Sequence, residues 1–294
     1  MKTTEARGRI QLQPGDKVAV VAGSGRLPID LAESLAAHGH PPFIVMMQGE
    51  AASSLAAFEH EDLSLENFAG LPLMLRRHGA THAVFAGGIG RRPNLRALKP
   101  SLALLALLPR ALAGLSRGDD GLLRSLAGIV ESHGVRIVGA HEIVPDLLAT
   151  AGPMARVAPL KGDWRDIDAA LAAARAIGAL DIGQAAVAIG GRAVALEGVE
   201  GTDGLLERVK DLRGHGRIAG KKRGVLVKCA KPGQELRIDL PAIGPTTIVA
   251  AHAAGLAGVG VEADRSLVLD FAGVVEAADR LGLFVIGLPS EKSP

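Results

Sequence analysis

Apolar positions along the chain fall into short runs with two alternating rhythms. Lys17 to Ala22 (KVAVVA) is a compact β-branched run cut off at Gly23, the signature of a strand. Pro28 to Ala37 (PIDLAESLAA) repeats at the helical period, with Pro28 suited to a first helical turn. Pro42 to Met47 reads as a second strand. Pro72 to His78 is a short helix stopped at Gly79, and His82 to Ala86 is a third strand that again ends in glycines. Ser101 to Leu115 is apolar and predicts a helix. Gly121 to His133 is a more amphipathic helix stopped by Gly134, and Val135 to Val138 is a fourth strand. Strands alternating with helices imply a parallel sheet covered on both faces.

The rhythm then breaks. Between Thr150 and Asp163 the residues Gly152, Pro153, Pro159 and Gly162 interrupt any period, which predicts a linker. A helix is expected from about Trp164 to Ile177. Ala185 to Ile189 and Ala193 to Glu197 flank Gly190-Gly191-Arg192 and read as a hairpin. Helices follow over Thr202 to Leu212, Ile243 to Ala254 and Phe271 to Leu281. Strands follow over Val225 to Cys229, Gly258 to Val261, Leu267 to Leu269 and Leu283 to Ile286. The expected organisation is α/β throughout. A Rossmann-like parallel-sheet domain occupies residues 1–150, a linker 151–163, and a distinct mixed α/β domain 164–294.

Composition narrows the classes. The 294 residues suit two modest domains or one large one. Hydrophobic residues make up 48%, charged residues 22%, and mean hydropathy is +0.26, which excludes a disordered chain. The longest apolar run, Leu102 to Leu108, falls far short of the roughly 20 residues of a membrane span. Met1 to Lys17 is polar and does not resemble a signal peptide. With 33 basic against 31 acidic residues, a nucleic-acid partner is not expected. Cys229 is the single cysteine, so no disulfide or thiolate metal site can form, and a cytoplasmic setting fits. Aromatics are 2%, which removes ring stacking as the main recognition device.

Three glycine-marked turns follow predicted strands. Gly23-Ser24-Gly25-Arg26-Leu27-Pro28 opens a helix, where free N–H groups favour an anion. Pro28 stands where the dinucleotide fingerprint needs its third glycine, which argues against a nicotinamide oxidoreductase. Gly87-Gly88-Ile89-Gly90-Arg91-Arg92-Pro93 suits a diphosphate or a plain solvated turn, and spacing alone leaves both open. Gly139-Ala140-His141-Glu142 follows the fourth strand. In open parallel sheets ligands collect at the carboxyl ends of strands, so these turns can converge on one ligand. Asp119 and Asp120 at a helix start are better explained as capping acids than as ligands of Mg²⁺ or a ribose. Thr202 suits a helix N-cap and can also meet a phosphate. Lys228 interrupts an apolar strand, with Lys231 just beyond, while Cys229 reads as a small core residue. Asp239 sits between apolar neighbours before Pro241, at an expected strand end, where a carboxylate can hold a metal or activate water.

The ordered set GSGRLP, FAGGIGRRPN, RGDDGLLR, GAHEI, LDIGQAAV, EGTDGLLERV, GVLVKCAKPGQ, RIDLPAIGPTTI, AGLAGVGVEA and LGLFVIG resembles the LpxI-type UDP-2,3-diacylglucosamine diphosphatases. The resemblance runs from about Lys17 to Gly287. It implies two α/β domains and Mg²⁺-dependent hydrolysis of a diphosphate in lipid A biosynthesis, with UMP and 2,3-diacylglucosamine 1-phosphate as products. It implies Asp239 as the critical carboxylate, either metal ligand or general base. Thr202 and Asp203 would meet the phosphosugar or the metal, and Gln184 and Lys228 would lie near the diphosphate. Gly23, Gly25, Gly88, Gly139, Ala140 and His141 would carry substrate contacts. An acylated UDP-sugar calls for an apolar cleft or contact with the inner-membrane surface. Leu102 to Leu115 is one candidate lining, although a buried core helix explains it better. A homodimer is the expected assembly. The rival reading is a non-catalytic nucleotide-sugar or lipid-binding module, which turnover would separate from an enzyme.

Overall fold

The computed structural model of the protein describes residues 10–90, 118–216, 218 and 223–289. The expected helix over 101–115 and the Arg91-Arg92-Pro93 end of the second glycine loop lie outside the described residues, as do the side chains of Asp119 and Asp120. The chain divides into two compact units. One comprises Met1–Pro145 with Glu235–Asp239; the other comprises Asp146–Gln234 with Leu240–Pro294. Both are α/β.

In the first unit, β1 (Val18–Ala22), β2 (Phe43–Met47), β3 (Glu59–Leu63), β4 (His82–Ala86) and β5 (Arg136–Ile137) form one sheet. Its order is β3-β2-β1-β4-β5, and every pairing is parallel. This order runs outward from β1 in both directions, so strand order reverses between β1 and β4. Helix α1 (Leu27–Ala37) follows β1, with Pro28 at its start as expected. Helices α2 (Leu71–Arg77), α3 (Gly118–Ser132) and the single turn α4 (Ala140–Ile143) complete the regular helices among the described residues of this unit. Phe43, Val45, Leu71, Leu75, Val130 and Ile137 share one core cluster.

The second unit has helices α5 (Asp163–Ala179), α6 (Gly201–Gly214), α7 (Pro245–Ala253) and α8 (Phe271–Leu281). Its strands are β6 (Gly152–Pro153), β7 (Ala185–Ala188), β8 (Ala193–Leu196), β9 (Val225–Lys228), β10 (Ala242–Ile243), β11 (Gly258–Glu262), β12 (Leu267–Val268) and β13 (Phe284–Leu288). The main sheet has the order β6-β13-β11-β9-β7-β8. Its centre, β9-β11-β13, is parallel, and its two margins are antiparallel. The β7–β8 hairpin turns at Gly190 and Gly191, both with positive φ, which is why a Gly-Gly pair sits there. The short β10–β12 pair is separate.

Two local expectations change. The segment expected as a linker contains β6, whose Gly152 and Pro153 pair antiparallel with Gly287 and Ile286. A proline is tolerated there because β6 is an edge strand. The stretch before Pro241 is a turn rather than a strand end: the N–H groups of Ile238 and Asp239 both reach the Glu235 carbonyl, at 3.0 and 3.1 Å. Its alternating apolar residue, Ile238, packs on the first unit's core instead of lying in a sheet.

Candidate functional site

Strand alternation places the first side chain of interest. Val225 and Val227 face the cluster formed with Ile167 of α5, whereas Leu226 faces the cluster that holds Leu205, Leu206 and Val209 of α6. By the two-residue period, Lys228 shares the Leu226 face, the side on which α6 lies. Its ammonium donates to Thr202 Oγ1 at 2.9 Å and to the Ala242 carbonyl at 3.2 Å. Thr202 stands in the first turn of α6, but Glu200 is the N-cap. The Thr202 hydroxyl caps nothing and instead donates to Glu197 Oε1 at 2.6 Å. The other carboxylate oxygen of Glu197 accepts the Gln184 N–H at 2.8 Å. Gln184, Glu197, Thr202 and Lys228 therefore form one connected polar cluster at the carboxyl end of β9. Lys228 is 9% exposed and Glu197 5%. Gln184 Oε1 is buried there without a hydrogen-bond partner, an acceptor turned toward the protein and still unsatisfied.

Sequence reasoning had gathered three members of this cluster and missed Glu197. A glutamate at the end of a strand reads as solvated; only the fold shows it buried. The one local sign was Gly183. A side chain there would run into the Glu197 carbonyl, so the Asp-Ile-Gly-Gln segment needs glycine to pass so close. Of the two lysines, Lys231 goes elsewhere and pairs with Asp181 at 2.6 Å. Asp203, next to Thr202, is exposed in the first turn of α6. Cys229 is a buried thiol whose pKa burial pushes up to about 11, in keeping with a core residue.

A second constellation lies at the carboxyl edge of the first unit's sheet. Gly139 precedes α4, and its N–H donates to Glu142 Oε2 at 2.6 Å. A side chain on Gly139 would collide with the His141 ring and touch Arg237 Cα, so the glycine admits both. His141 Nδ1 is buried without a hydrogen-bond partner, and burial lowers the ring's pKa. Arg237 pairs with Glu131 of α3 at 2.6 Å and with Glu235 at 2.9 Å. The Glu131 pair and Ile238 explain why Glu235–Asp239 groups with the first unit although both flanking stretches belong to the second. Asp239 closes this turn and is half-buried. The Gly139-Ala140-His141 turn and the Asp239 turn are thus neighbours within one unit.

The third set sits where strand order reverses. Ser24 N–H donates to the Gly88 carbonyl at 2.8 Å, Gly88 N–H returns to Ser24 at 3.1 Å, and Gly23 N–H reaches Ala86 at 2.8 Å. Side chains on Gly23 or Gly87 would strike the opposing backbone. Much of the glycine content of these two turns is therefore spent on their mutual contact. The N–H groups of Gly23, Ser24 and Gly88 are already engaged within the protein, which leaves exposed Gly25 and Gly90 as the glycines not consumed by that contact. Gly90 donates its N–H to Glu50 at 2.9 Å.

Among the described residues no group of three or more His, Cys, Asp or Glu side chains forms a metal cage. Among the described residues no helix is long and apolar enough to cross a membrane.

Two family models match the chain: the LpxI N-terminal domain over residues 17–147 and the LpxI C-terminal domain over residues 150–286. The UDP-2,3-diacylglucosamine pyrophosphatase LpxI of Caulobacter vibrioides is 41% identical over 282 residues, covering 95% of this chain and 99% of that protein. A crystal structure of isoflavone reductase aligns over 94% of this chain and 78% of its own with 10% identity and a TM-score of 0.26, too slight a likeness to bear on fold or function.

Proposed function

Because the chain belongs to the LpxI family, we propose that it is a UDP-2,3-diacylglucosamine diphosphatase acting in lipid A biosynthesis. The reaction adds water across the diphosphate to give UMP and 2,3-diacylglucosamine 1-phosphate. The full-length identity to the Caulobacter pyrophosphatase carries this reading. The polar cluster around Lys228 supports it with fitting chemistry.

A diphosphate diester carries two negative charges, and its oxygens gather more as the bridging bond lengthens. A fixed ammonium in a mostly buried setting offsets such charge more strongly than it would in water. Lys228 supplies that charge in this reading, held by Thr202 and the Ala242 carbonyl. Gln184, its N–H held by Glu197, fixes the segment leading into β7 beside this ammonium. Asp239 accepts the proton of the attacking water. The water oxygen bonds to the phosphorus on the sugar side, and the bridging P–O bond breaks toward UMP. Asp203, exposed in the first turn of α6, would offer an oxygen to Mg²⁺, which when bound neutralises phosphoryl charge. His141, neutral because it is buried, adds a hydrogen-bonding group beside the Asp239 turn. The substrate's acyl chains place the working protein at the cytoplasmic face of the inner membrane.

The test is UMP release from UDP-2,3-diacylglucosamine, with Mg²⁺ or EDTA, by the wild type and by Asp239→Ala. Metal-dependent release that drops ~10³-fold or more in the variant is the expected result. Reaction in H₂¹⁸O should put the label in the sugar phosphate and not in UMP. A folded wild type that retains the substrate without turnover would overturn the reading in favour of a binding module.

A further inference from the structure

Glu197 stands apart from the residues the motifs point to, yet the connected cluster converges on it. A carboxylate 5% exposed needs partners for its charge. Its partners are the Thr202 hydroxyl at 2.6 Å and the Gln184 N–H at 2.8 Å. The cation that answers its charge in this cluster is Lys228, one step away through Thr202. A threonine hydroxyl has one proton and two lone pairs. Since the ionised Glu197 can only accept, the Thr202 proton points at Glu197 and a lone pair points at the Lys228 ammonium. The direction of this chain is fixed at its acidic end.

We propose that Glu197 is a positioning residue for the hydrolytic reaction: it orients Thr202, and through Thr202 it sets the place of the Lys228 ammonium, while its second oxygen anchors the segment that carries Gln184. This rests on the function proposed above. Gly183 gives the inference a second footing. The backbone before Gln184 passes so close to Glu197 that only glycine fits, which keeps the Gln184 N–H within reach of the carboxylate. A neutral amide cannot replace this carboxylate. Gln at 197 has one acceptor and one donor end. If its oxygen serves the Gln184 N–H, its NH₂ meets Thr202 and competes with Lys228 for the hydroxyl lone pairs. If its oxygen serves Thr202, its NH₂ opposes the Gln184 N–H. Either way one of the two links is lost.

Steady-state kinetics of UMP release by Glu197→Gln, Glu197→Asp, Thr202→Val, the Glu197→Gln/Thr202→Val pair and Lys228→Ala decide the matter, with circular dichroism to establish folding. Displacing a reacting group by about an ångström costs on the order of 10²-fold. Glu197→Gln should therefore lower kcat by ~10- to 100-fold with KM changing by less than ~3-fold, whereas a purely structural loss would show as a smaller folded fraction with unchanged kcat per folded enzyme. Glu197→Asp, which keeps the charge, should recover part of kcat. The double variant should fall within about threefold of Thr202→Val alone, because both changes break one relay. Wild-type kcat in folded Glu197→Gln, with Lys228→Ala impaired, would overturn the inference and leave the proposed function standing. If Glu197→Gln does not fold, wild-type kcat in Thr202→Val overturns it equally. Absence of turnover by the wild type would remove the reading on which it rests.

Discussion

His141 and His82 share a physical situation that few sequence positions announce. Burial lowers the pKa of both imidazoles below the usual 6.5; for His82 the Asp16 carboxylate opposes the shift without cancelling it. In the unfolded chain both rings take a proton as pH falls through about 6.5. In the folded chain they resist it until lower pH. The unfolded state then binds more protons, so stability is fully present above pH ~6.5 and declines on acidification until the folded rings also titrate. The thermal midpoint should fall between pH 7.5 and 5.5, and a His82→Gln/His141→Gln variant should show a shallower fall. An equal slope in the variant would assign the acid sensitivity to other groups. Single residues were legible in the sequence when their oddity was local. Lys228 interrupts an apolar strand, and Gly139 marks a turn. Glu197 was not legible, because a charge after Leu196 is unremarkable until the fold wraps Thr202 and Gln184 around it.

At the level of elements, strands and helices with apolar periodicity could be read closely, and those without it could not. β1, β2 and β9 are buried along their whole length or nearly so, and β4 at three of its five positions, and their residues say so. β3, with sequence EHEDL, buries only Leu63 and pairs with β2 alone. An edge strand that faces water gives no hydrophobic alternation, and its charges discourage pairing with another chain. β6 is Gly-Pro and owes its existence to β13. Asp239 was expected at a strand end because Arg-Ile-Asp-Leu alternates, yet the alternation serves to dock Ile238 on a core. The glycine turns after β1 and β4 show how a turn read for ligand contact can also be a joint. Gly87 has φ +85°, and any side chain there meets the Ser24 carbonyl. Gly87→Ala should cost at least ~2 kcal/mol from positive φ and the clash together. Chemical denaturation measures this, and a loss under ~0.5 kcal/mol would show that the turns part without cost.

For the molecule as a whole, two α/β units were legible from the switch of rhythm near residue 150, since each unit must bury its own sheet. The excursion of Glu235–Asp239 was not, because an ion pair between residues 106 positions apart has no local signature. The Arg237–Glu131 pair is about one-third exposed on both sides. Pairs of that exposure contribute ~0–1 kcal/mol to stability. Arg237→Ala should therefore move the thermal midpoint little, yet lower kcat ~10-fold or more by releasing the turn that ends in Asp239. A midpoint collapse with kcat preserved would assign the pair to stability alone. The chain thus passes between units three times, at Pro145–Asp146, Gln234–Glu235 and Asp239–Leu240. A protein assembled from the front half of one homologue and the back half of another, spliced near residue 150, would import the Arg237 turn of one parent and dock it on the α3 helix of the other. For such chimaeras the natural unit of exchange is the back half together with its α3 counterpart, and recombination at the visible domain boundary would separate residues that have to be inherited together.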